Sequence, residues 1–87
     1  MHYNVRVVCK SPEEAHVRAL LLQGTGSGQL SLRRLDSNDL AESGRVEVTA
    51  QLTSAVKNDV VLEQVVGRLS LEPTVSAASW SLGPILE

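Results

Sequence analysis

Residues 45–53 read RVEVTAQLT, and apolar and polar side chains alternate along this stretch without a break. Successive side chains of a β-strand point to opposite faces, so this pattern predicts one strand with a covered face and a hydrated face. The covered face consists of Val46, Val48, Ala50 and Leu52. The hydrated face consists of Arg45, Glu47, Thr49, Gln51 and Thr53. We expect the rest of the chain to supply neighbouring strands and the helices that cover the apolar face.

The composition is typical of one small domain, and of its 87 residues we expect about 3–83 to be ordered. Hydrophobic residues make up 43% but aromatic residues only 2%, so Val, Leu and Ala must build the core. The net charge of -2, with both signs mixed along the chain, argues against nucleic acid as a partner. No apolar run approaches the roughly 20 residues that cross a bilayer, so we expect no direct membrane insertion by this chain.

Three further stretches are predicted to be strands. They are residues 3–10, 29–35 and 75–82. The first alternates cleanly and carries Cys9, which we interpret as a buried, reduced structural thiol. The second is expected to contain an irregularity at Arg34-Leu35. Residues 36–44 are expected to form a polar loop before the strand of residues 45–53.

The first helix is marked by strong start and stop signals. Residues 11–14 read SPEE, where Ser11 is the predicted N-cap and Glu14 completes a capping box. We expect the helix to continue to about Gln23 and to end in the glycine-rich residues 24–28, with a left-handed glycine at the cap. A phosphate-binding loop would precede a helix, whereas this glycine run follows one, so the cap is the favoured interpretation.

The second helix is predicted to start at Asn58 or Asp59 and to stop at Glu72-Pro73. Its apolar side consists of Val61, Leu62, Val65, Val66 and Leu69. The resulting order, β-α-β-β-α-β, predicts an α+β, ferredoxin-like sandwich. In that fold the four-stranded antiparallel sheet has the order 4-1-3-2 and both helices lie on one face.

Polar residues before and at the start of the 45–53 strand are the candidates for a divalent-ion site. They are Asp36, Asn38, Asp39, Glu42 and Glu47. The match to a calcium loop fails because Leu40 has no side-chain oxygen and Ala41 stands where glycine is needed. His2 and His16 lack a paired ligand at metal spacing, and we expect His16 to pair with Glu13 on the helix surface. We therefore predict neither a metal nor another cofactor.

Catalytic and RNA-binding arrangements are also missing from the sequence. Cys9 has no evident His and Asn partners. An RNA-recognition module has the same element order, but its open sheet face presents stacking aromatic side chains. Here that face would present Asn4, Arg6, Arg45, Glu47, Thr49 and Gln51. We expect Arg6, Arg33 and Arg45 to pair with Glu47 across the strands.

Two features are candidates for an interface. The first helix carries one apolar stripe of Val17, Leu20, Leu21 and Gly24, which we expect to cover the sheet. A second stripe on its opposite side, Ala15, Ala19 and Leu22, is the predicted contact for a partner, a second copy or an attached domain. Trp80 lies on the fourth strand, where we favour packing against the core, with an interface anchor as the alternative.

Five stretches together resemble the C-terminal domain of the MgtC/SapB family of membrane proteins. They are residues 3–9 (YNVRVVC), 14–18 (EAHVR), 45–50 (RVEVTA), 58–59 (ND) and 69–80 (LSLEPTVSAASW). The resemblance implies an ACT-like fold behind an N-terminal hydrophobic region, on the cytoplasmic side of the bacterial inner membrane. It also implies a part in growth at low magnesium and in survival inside macrophages, that is, in virulence. The implied partners are the protein's own N-terminal membrane domain or another membrane protein, together with self-association.

Two functional hypotheses remain open. The first is a non-enzymatic regulatory or interaction domain that acts through its surfaces. The second is an ACT-type sensor of a small ligand or divalent ion, using the turn at Lys10-Ser11 or the stretch 36–42. ACT domains often bind amino acids at a glycine-containing turn after the first strand, and residues 9–12 (CKSP) contain no glycine there. An acylphosphatase-like enzyme would need a glycine-framed arginine loop at the same place, which is also absent.

Overall fold

The computed structural model describes residues 1–26, 30–41 and 43–83. The strands are β1 (His2–Lys10), β2 (Ser31–Leu40), β3 (Arg45–Thr53) and β4 (Val75–Leu82). The helices are α1 (Glu14–Thr25), which a short 3₁₀ turn at Ser11–Glu13 precedes, and α2 (Asp59–Ser70). The predicted order of elements is therefore confirmed.

The four strands form one antiparallel sheet in the order β2-β3-β1-β4, which is the predicted order read from the opposite edge. The central strands β1 and β3 pair without a register shift, from His2 opposite Thr53 to Lys10 opposite Arg45. Because neither strand slips, alternate residues keep to one face along the whole length of the pair. The clean alternation in the sequence thus marks the centre of the sheet.

Both helices pack on the same face of the sheet and share one hydrophobic core. The strands contribute Tyr3, Val5, Val7, Cys9, Val46, Val48, Ala50 and Leu52 to this core. The helices contribute Val17, Leu21, Leu62, Val65 and Leu69. Burial of each large aliphatic side chain stabilises the fold by roughly 1.5–3 kcal/mol, so many small contacts replace the missing aromatic residues.

The prediction of a polar loop over residues 36–44 is wrong, because β2 continues to Leu40. Asp36 lies opposite Thr49 and Leu40 lies opposite Arg45, so these residues extend the ladder with β3. Pairing with a long, regular neighbour satisfies backbone groups that would otherwise face water, and this outweighs the weak strand propensity of Asp and Asn.

Two details at the ends of β2 also differ from the prediction. The register irregularity falls between Leu32 and Arg34, not at Arg34-Leu35. The connection to β3 shortens to residues 41–44, and Gly44 has a φ of 70°, a left-handed conformation that favours glycine. The predicted strand start at residue 29 lies outside the described residues.

The predicted capping box at the start of α1 does not form. Ser11 begins the 3₁₀ turn, and neither that turn nor α1 has a side-chain hydrogen bond at its N-cap. At the other end α1 continues past Gln23 to Thr25, and the capping Gly26 has a φ of -84°, which is not left-handed. The Thr25 hydroxyl donates to the Leu21 carbonyl at 2.8 Å within these last residues of the helix.

The fourth strand has the predicted bounds but contains a register shift opposite Val8 and Cys9. Ala77 pairs with Val8 and Val75 pairs with Cys9, so Ser76 is the extra residue. This bulge turns Val75 toward the core, where it is partly buried. Strict alternation from Trp80 would predict that Val75 faces away from the side that carries Trp80, and this prediction is wrong because alternation stops at the bulge.

Candidate interaction surfaces

The outer stripe of α1 lies where the sequence predicts it. Ala15 and Ala19 are exposed, and Leu22 leaves 50% of its surface in water. Val17 and Leu21, on the opposite side of the same helix, are buried in the core. The helix therefore has an apolar side that covers the sheet and a second apolar side that nothing within the described residues covers. That this side binds a partner stays a prediction.

An open, shallow groove runs along this outer side of α1. It is lined by Ser11, Pro12, Glu14, Ala15, Arg18, Ala19 and Leu22. The Arg18 guanidinium donates from Nη1 to the Ser37 hydroxyl of β2 at 2.8 Å, so its position is fixed by the sheet. Apolar side chains thus lie between one carboxylate and one oriented cation, which is an arrangement suited to an amphipathic protein segment.

Sequence reasoning missed two further exposed apolar side chains, which lie toward the two ends of one side of α2 with the polar Gln64 between them. Val60 is 70% exposed, Leu71, just after the helix, is 81% exposed, and Gly67 lies between them on the same side. The signal was present, because positions 60, 67 and 71 recur at helical spacing opposite the core residues.

The two helices run antiparallel and approach each other closely. Near one end the His16 Nε2 lies 2.8 Å from the Glu72 Oε1, so the expected pairing of His16 with Glu13 is wrong. Near the other end Gly24 lies against Val65, where an added Cβ would come within 2.9 Å of a Val65 methyl group. Both helices turn their buried side to the sheet, so the outer stripe of α1 and the exposed Val60 and Leu71 of α2 face away from it.

Trp80 packs at the edge of the core, as favoured from the sequence. The residue is partly buried, and its ring centroid lies 5.8 Å from that of Tyr3 at an interplanar angle of 60°. The indole Nε1 donates to the Glu63 Oε1 at 2.6 Å, which ties β4 to α2. Because β4 is an edge strand, part of the ring remains at the surface, and its use as an interface anchor stays a prediction.

Tyr3, on the covered face of the first strand, has a structural role that the sequence did not predict. The side chain is fully buried, its hydroxyl accepts the Asn58 N–H at 2.7 Å, and it donates to the Asp59 Oδ1 at 3.1 Å. The predicted capping side chains make no cap bond, and Asn58 instead donates from Nδ2 to the Ser54 hydroxyl at 2.9 Å. Tyr3 thus connects β1 to the start of α2. The available signal was a tyrosine on the apolar face of a core without Phe.

The open face of the sheet is polar and its charges are partly paired. The Arg6 Nε donates to the Glu47 Oε2 across β1 and β3, as expected. Among the described residues neither Arg33 nor Arg45 forms an ion pair with Glu47, so that part of the expectation is wrong. Along β2 the Arg34 Nε lies 2.6 Å from the Asp36 Oδ2. Solvent screening limits each exposed pair to about 1 kcal/mol or less. This face has no aromatic platform for a nucleic-acid base among the residues described.

The stretches proposed for a sensor do not converge on a site. Asp36, Asn38 and Asp39 lie on β2, where Asp39 points to the opposite face from the other two. Glu42 lies outside the described residues, and among those described no cluster of three metal-binding side chains occurs. At the turn after β1, the Lys10 N–H donates to Thr74 at 3.2 Å and the Ser11 N–H donates to Gly44 at 2.9 Å. Those two donors are therefore engaged within the fold.

Cys9 is fully buried in the core. Burial raises the pKa of its thiol, and the nearby carboxylates of Glu14 and Glu13 raise that pKa further. Because the thiolate is the nucleophilic form, the thiol is inert at neutral pH in the folded protein. Among the described residues, neither helix is long and apolar enough to cross a bilayer.

A four-stranded antiparallel sheet in the order β2-β3-β1-β4 with two helices on one face defines an ACT-like domain. The chain resembles the ACT domain from the GTP pyrophosphokinase of Chlorobium tepidum with a TM-score of 0.70. The two are 13% identical, with 93% of this chain and 97% of that chain covered, so this likeness concerns the fold alone.

Comparisons with proteins of higher sequence identity identify the family. The family model of the MGTC/SAPB C-terminal domain matches residues 3–80. Protein MgtC of Brucella abortus (strain 2308) is 40% identical over 80 residues, which are 92% of this chain and 33% of that protein. The C-terminal domain of the MgtC protein from Mycobacterium tuberculosis has a TM-score of 0.85 and 34% identity, with 94% of this chain and 86% of that chain covered. The chain therefore belongs to the MgtC/SapB C-terminal domain family, and it spans about a third of the length of the Brucella MgtC protein.

Proposed function

We propose that this chain is a non-catalytic regulatory and interaction domain of an MgtC-like membrane protein, on the cytoplasmic side of the bacterial inner membrane. Its role would be in growth at low magnesium and in survival inside macrophages. Membership of the family supports this proposal, as does the length of MgtC relatives, of which this chain matches about a third. The observation that carries it is the uncovered apolar side of α1, formed by Ala15, Ala19 and Leu22.

The chemistry of this surface favours a protein partner. Complete burial of a leucine side chain is worth roughly 1.5–3 kcal/mol, so covering the exposed half of Leu22 would contribute about 1 kcal/mol. The small Ala15 and Ala19 allow a partner segment to approach the helix closely. Glu14 and Arg18 at the groove would orient that segment through polar contacts. The partner is the protein's own membrane domain or another membrane protein.

A non-catalytic role also agrees with the burial of the Cys9 thiol, which is the most nucleophilic kind of side chain in the described core. Cys9 is enclosed by the core and its pKa is raised, so its function is to fill space between β1 and the helices. The ACT-type sensor hypothesis has the fold in its favour, but no residue cluster described above favours it.

The interaction proposal is tested by Leu22→Lys in the full-length membrane protein. The variant places a charge in the centre of the outer stripe, and we expect growth at limiting magnesium to fall to the level of a strain without the protein. Val56→Lys is the matched control, because Val56 is 65% exposed and lies outside both helices. We expect this control to grow normally.

Circular dichroism of the 87-residue chain with each substitution checks that the fold is unchanged. Normal growth of the Leu22→Lys strain, at a normal protein level, would remove the outer stripe of α1 as the functional surface.

A further inference from the structure

The two sides of the sheet carry opposite net charges. The charged residues described on the open face are the cations Arg6, Lys10, Arg34 and Arg45 and the anions Asp36 and Glu47, a net charge of +2. Those described on the helix side are the cations Arg18, Lys57 and Arg68 and the anions Glu13, Glu14, Asp39, Asp59, Glu63 and Glu72, a net charge of -3. Arg33, at the register shift of β2, belongs to neither set. The open face is therefore basic although the chain as a whole is acidic.

Two of the open-face cations form a like-charged pair. Lys10 lies directly opposite Arg45 at the end of the ladder between β1 and β3, so their side chains leave the open face side by side. Within the described residues neither of them has an ion pair. Glu47, two residues along β3 from Arg45, is bonded to Arg6. Because like charges directly opposite each other destabilise a strand pair, an anion from outside the fold would relieve this repulsion.

The open face does not have the apolar anchors that a protein partner would bury. In the described part of the chain, none of the large apolar side chains that are exposed lies on this face. Leu32 and Leu82 belong to strands, but they lie opposite the core residues Leu52 and Tyr3. The centres of protein interfaces are apolar and rich in aromatic side chains. This face is therefore better suited to a charged surface than to a protein.

The open-face cations are also spread out and do not converge on one point. Arg6 and Lys10 are four residues apart on β1, which separates them by roughly 13 Å. Arg45 lies on β3 and Arg34 on the edge strand β2. Such a distribution matches an extended anionic surface, where charges recur in two dimensions, and not a single small anion.

We propose that the open face of the sheet binds the anionic lipid headgroups of the bilayer that carries the parent protein. This inference rests on the proposed function, because it needs the domain to lie beside a membrane. The cytoplasmic leaflet is negatively charged, and each Lys or Arg held near it strengthens binding about fivefold. The contact lies at the headgroups, so no part of the chain enters the hydrocarbon. The outer stripe of α1 then faces away from the bilayer and stays accessible to its protein partner.

Such a contact would make the position of the domain depend on magnesium without a metal site on the protein. Mg²⁺ binds phosphate oxygens and, as a divalent ion, reduces the negative potential of the leaflet. The open face would therefore be held most tightly where magnesium is scarce, which is the condition in which the proposed function operates.

Co-sedimentation of the 87-residue chain with lipid vesicles measures this binding. One set of vesicles contains phosphatidylcholine alone, and the other contains equal parts of phosphatidylcholine and the anionic phosphatidylglycerol. We expect binding to the anionic vesicles only, with release as sodium chloride is raised. At equal ionic strength, magnesium chloride should release more chain than sodium chloride, and equal release would refute the magnesium dependence. Equal binding to both sets of vesicles, or binding to neither, would overturn the proposal.

A pair of double variants locates the contact. Lys10→Gln with Arg45→Gln removes the like-charged pair, and we expect binding to anionic vesicles to weaken about tenfold or more. Thermal unfolding should show this variant to be at least as stable as the wild type, because a repulsion has been removed. Lys57→Gln with Arg68→Gln is the matched control, since it makes the same change in net charge on the helix side and should bind normally. Equal losses in the two double variants would show that net charge, and not the open face, controls binding.

This inference and the proposed function can fail separately. Leu22→Lys changes the helix side, so it should bind vesicles as the wild type does even where it abolishes growth. An acidic protein segment is the other occupant that the charge of the open face would suit. Binding of polyglutamate through Lys10 and Arg45, together with no binding to anionic vesicles, would show that the occupant is a protein and that the lipid proposal is wrong.

Discussion

At the scale of single residues, Gly24 decides how closely the two helices pack. A Cβ at this position would lie 2.9 Å from one methyl group of Val65 and 3.2 Å from the other. Val65 is almost fully buried, and its branched side chain has one favoured rotamer in a helix, so it cannot move aside easily. The helix therefore continues through a glycine that the sequence would place at its end.

Gly24→Ala and Gly67→Ala form a matched test of this packing. Overpacking costs about 1–3 kcal/mol, which exceeds the roughly 1 kcal/mol that alanine gains over glycine in a helix. We expect Gly24→Ala to lower the free energy of unfolding by about 1 kcal/mol. Gly67 has no atom within 4 Å of an added Cβ, so Gly67→Ala should raise it by up to about 1 kcal/mol. Urea denaturation measures both, and equal stabilisation by the two substitutions would contradict the close contact.

Cys9 makes the free energy of unfolding depend on pH, in a direction that follows from its pKa. Its pKa in the folded protein is raised above the ordinary value of 9.0, first by burial and then by Glu14 and Glu13. The folded state thus holds the proton more tightly than the unfolded state does. This contribution to stability is complete below the ordinary pKa and is lost as the pH rises through the raised pKa.

Comparison of the wild-type chain with Cys9→Ala isolates the effect of the thiol. The wild type should be more stable than Cys9→Ala at neutral pH, because the smaller side chain leaves a cavity. We expect this difference in unfolding free energy to narrow above about pH 9, measured by urea denaturation at a series of pH values. A difference that stays constant into the alkaline range would contradict the raised pKa.

At the scale of elements, β2 forms a strand although the sequence of its second half has low strand propensity. Its second half carries Asp36, Asn38 and Asp39, which individually favour turns. The Ser54 N–H donates to Met1, and this fixes which residues of β3 face β1 and which face β2. By the same alternation the N–H groups of Asp36 and Asn38 face β3.

Amide hydrogen exchange tests this part of the ladder. We expect the amides of Asp36 and Asn38 to exchange at least about tenfold more slowly than those of Ser37 and Asp39, which point outward. The neighbouring amides serve as internal controls, because they share the same surface and solvent. Equally fast exchange at all four positions would mean that the stretch is a loop, as its composition suggests.

At the scale of the whole molecule, the open face of the sheet carries paired charges, whereas the helix layer exposes apolar side chains among polar ones. The outer stripe of α1 and the exposed Val60 and Leu71 of α2 lie on the helix layer, and β4, which has no charged residue, lies at one edge of the sheet. This distribution agrees with a domain that acts through contacts with other protein surfaces. A sensor would instead need free, converging polar groups. Asp36 and Glu47 share the open face of the sheet but are paired with Arg34 and Arg6, and Asp39 lies on the other face.

Titration with magnesium and the common amino acids, followed by NMR chemical shifts, distinguishes the two functions. We expect no saturable, localised shift, because Asp36 is paired with Arg34 and the N–H groups of Lys10 and Ser11 are already bonded. Titration with sodium chloride to the same ionic strength is the control for general salt effects. A saturable shift at Lys10-Ser11 or in residues 36–40 would favour the ACT-type sensor.

Much of this architecture could be predicted from the sequence, because periodicity reports which side of an element is covered. β3 and β4 have the predicted bounds, and the apolar sides of α1 and α2 face the core as expected. The candidate surface residues Ala15, Ala19 and Leu22 are exposed as a stripe for the same reason. Alternation and helical spacing are local properties, and each can be recognised without knowledge of any neighbour.

Only the tertiary structure decided the features that depend on partners distant in the chain. These include the extension of β2 along β3, the bulge that turns Val75 inward, and the pairing of His16 with Glu72. They also include the contact of Gly24 with Val65 and the bonds of Tyr3 to the start of α2. In each case a local signal competed with a contact made only after folding. The contact prevailed because burial and backbone pairing outweigh the small free energies of capping and intrinsic propensity.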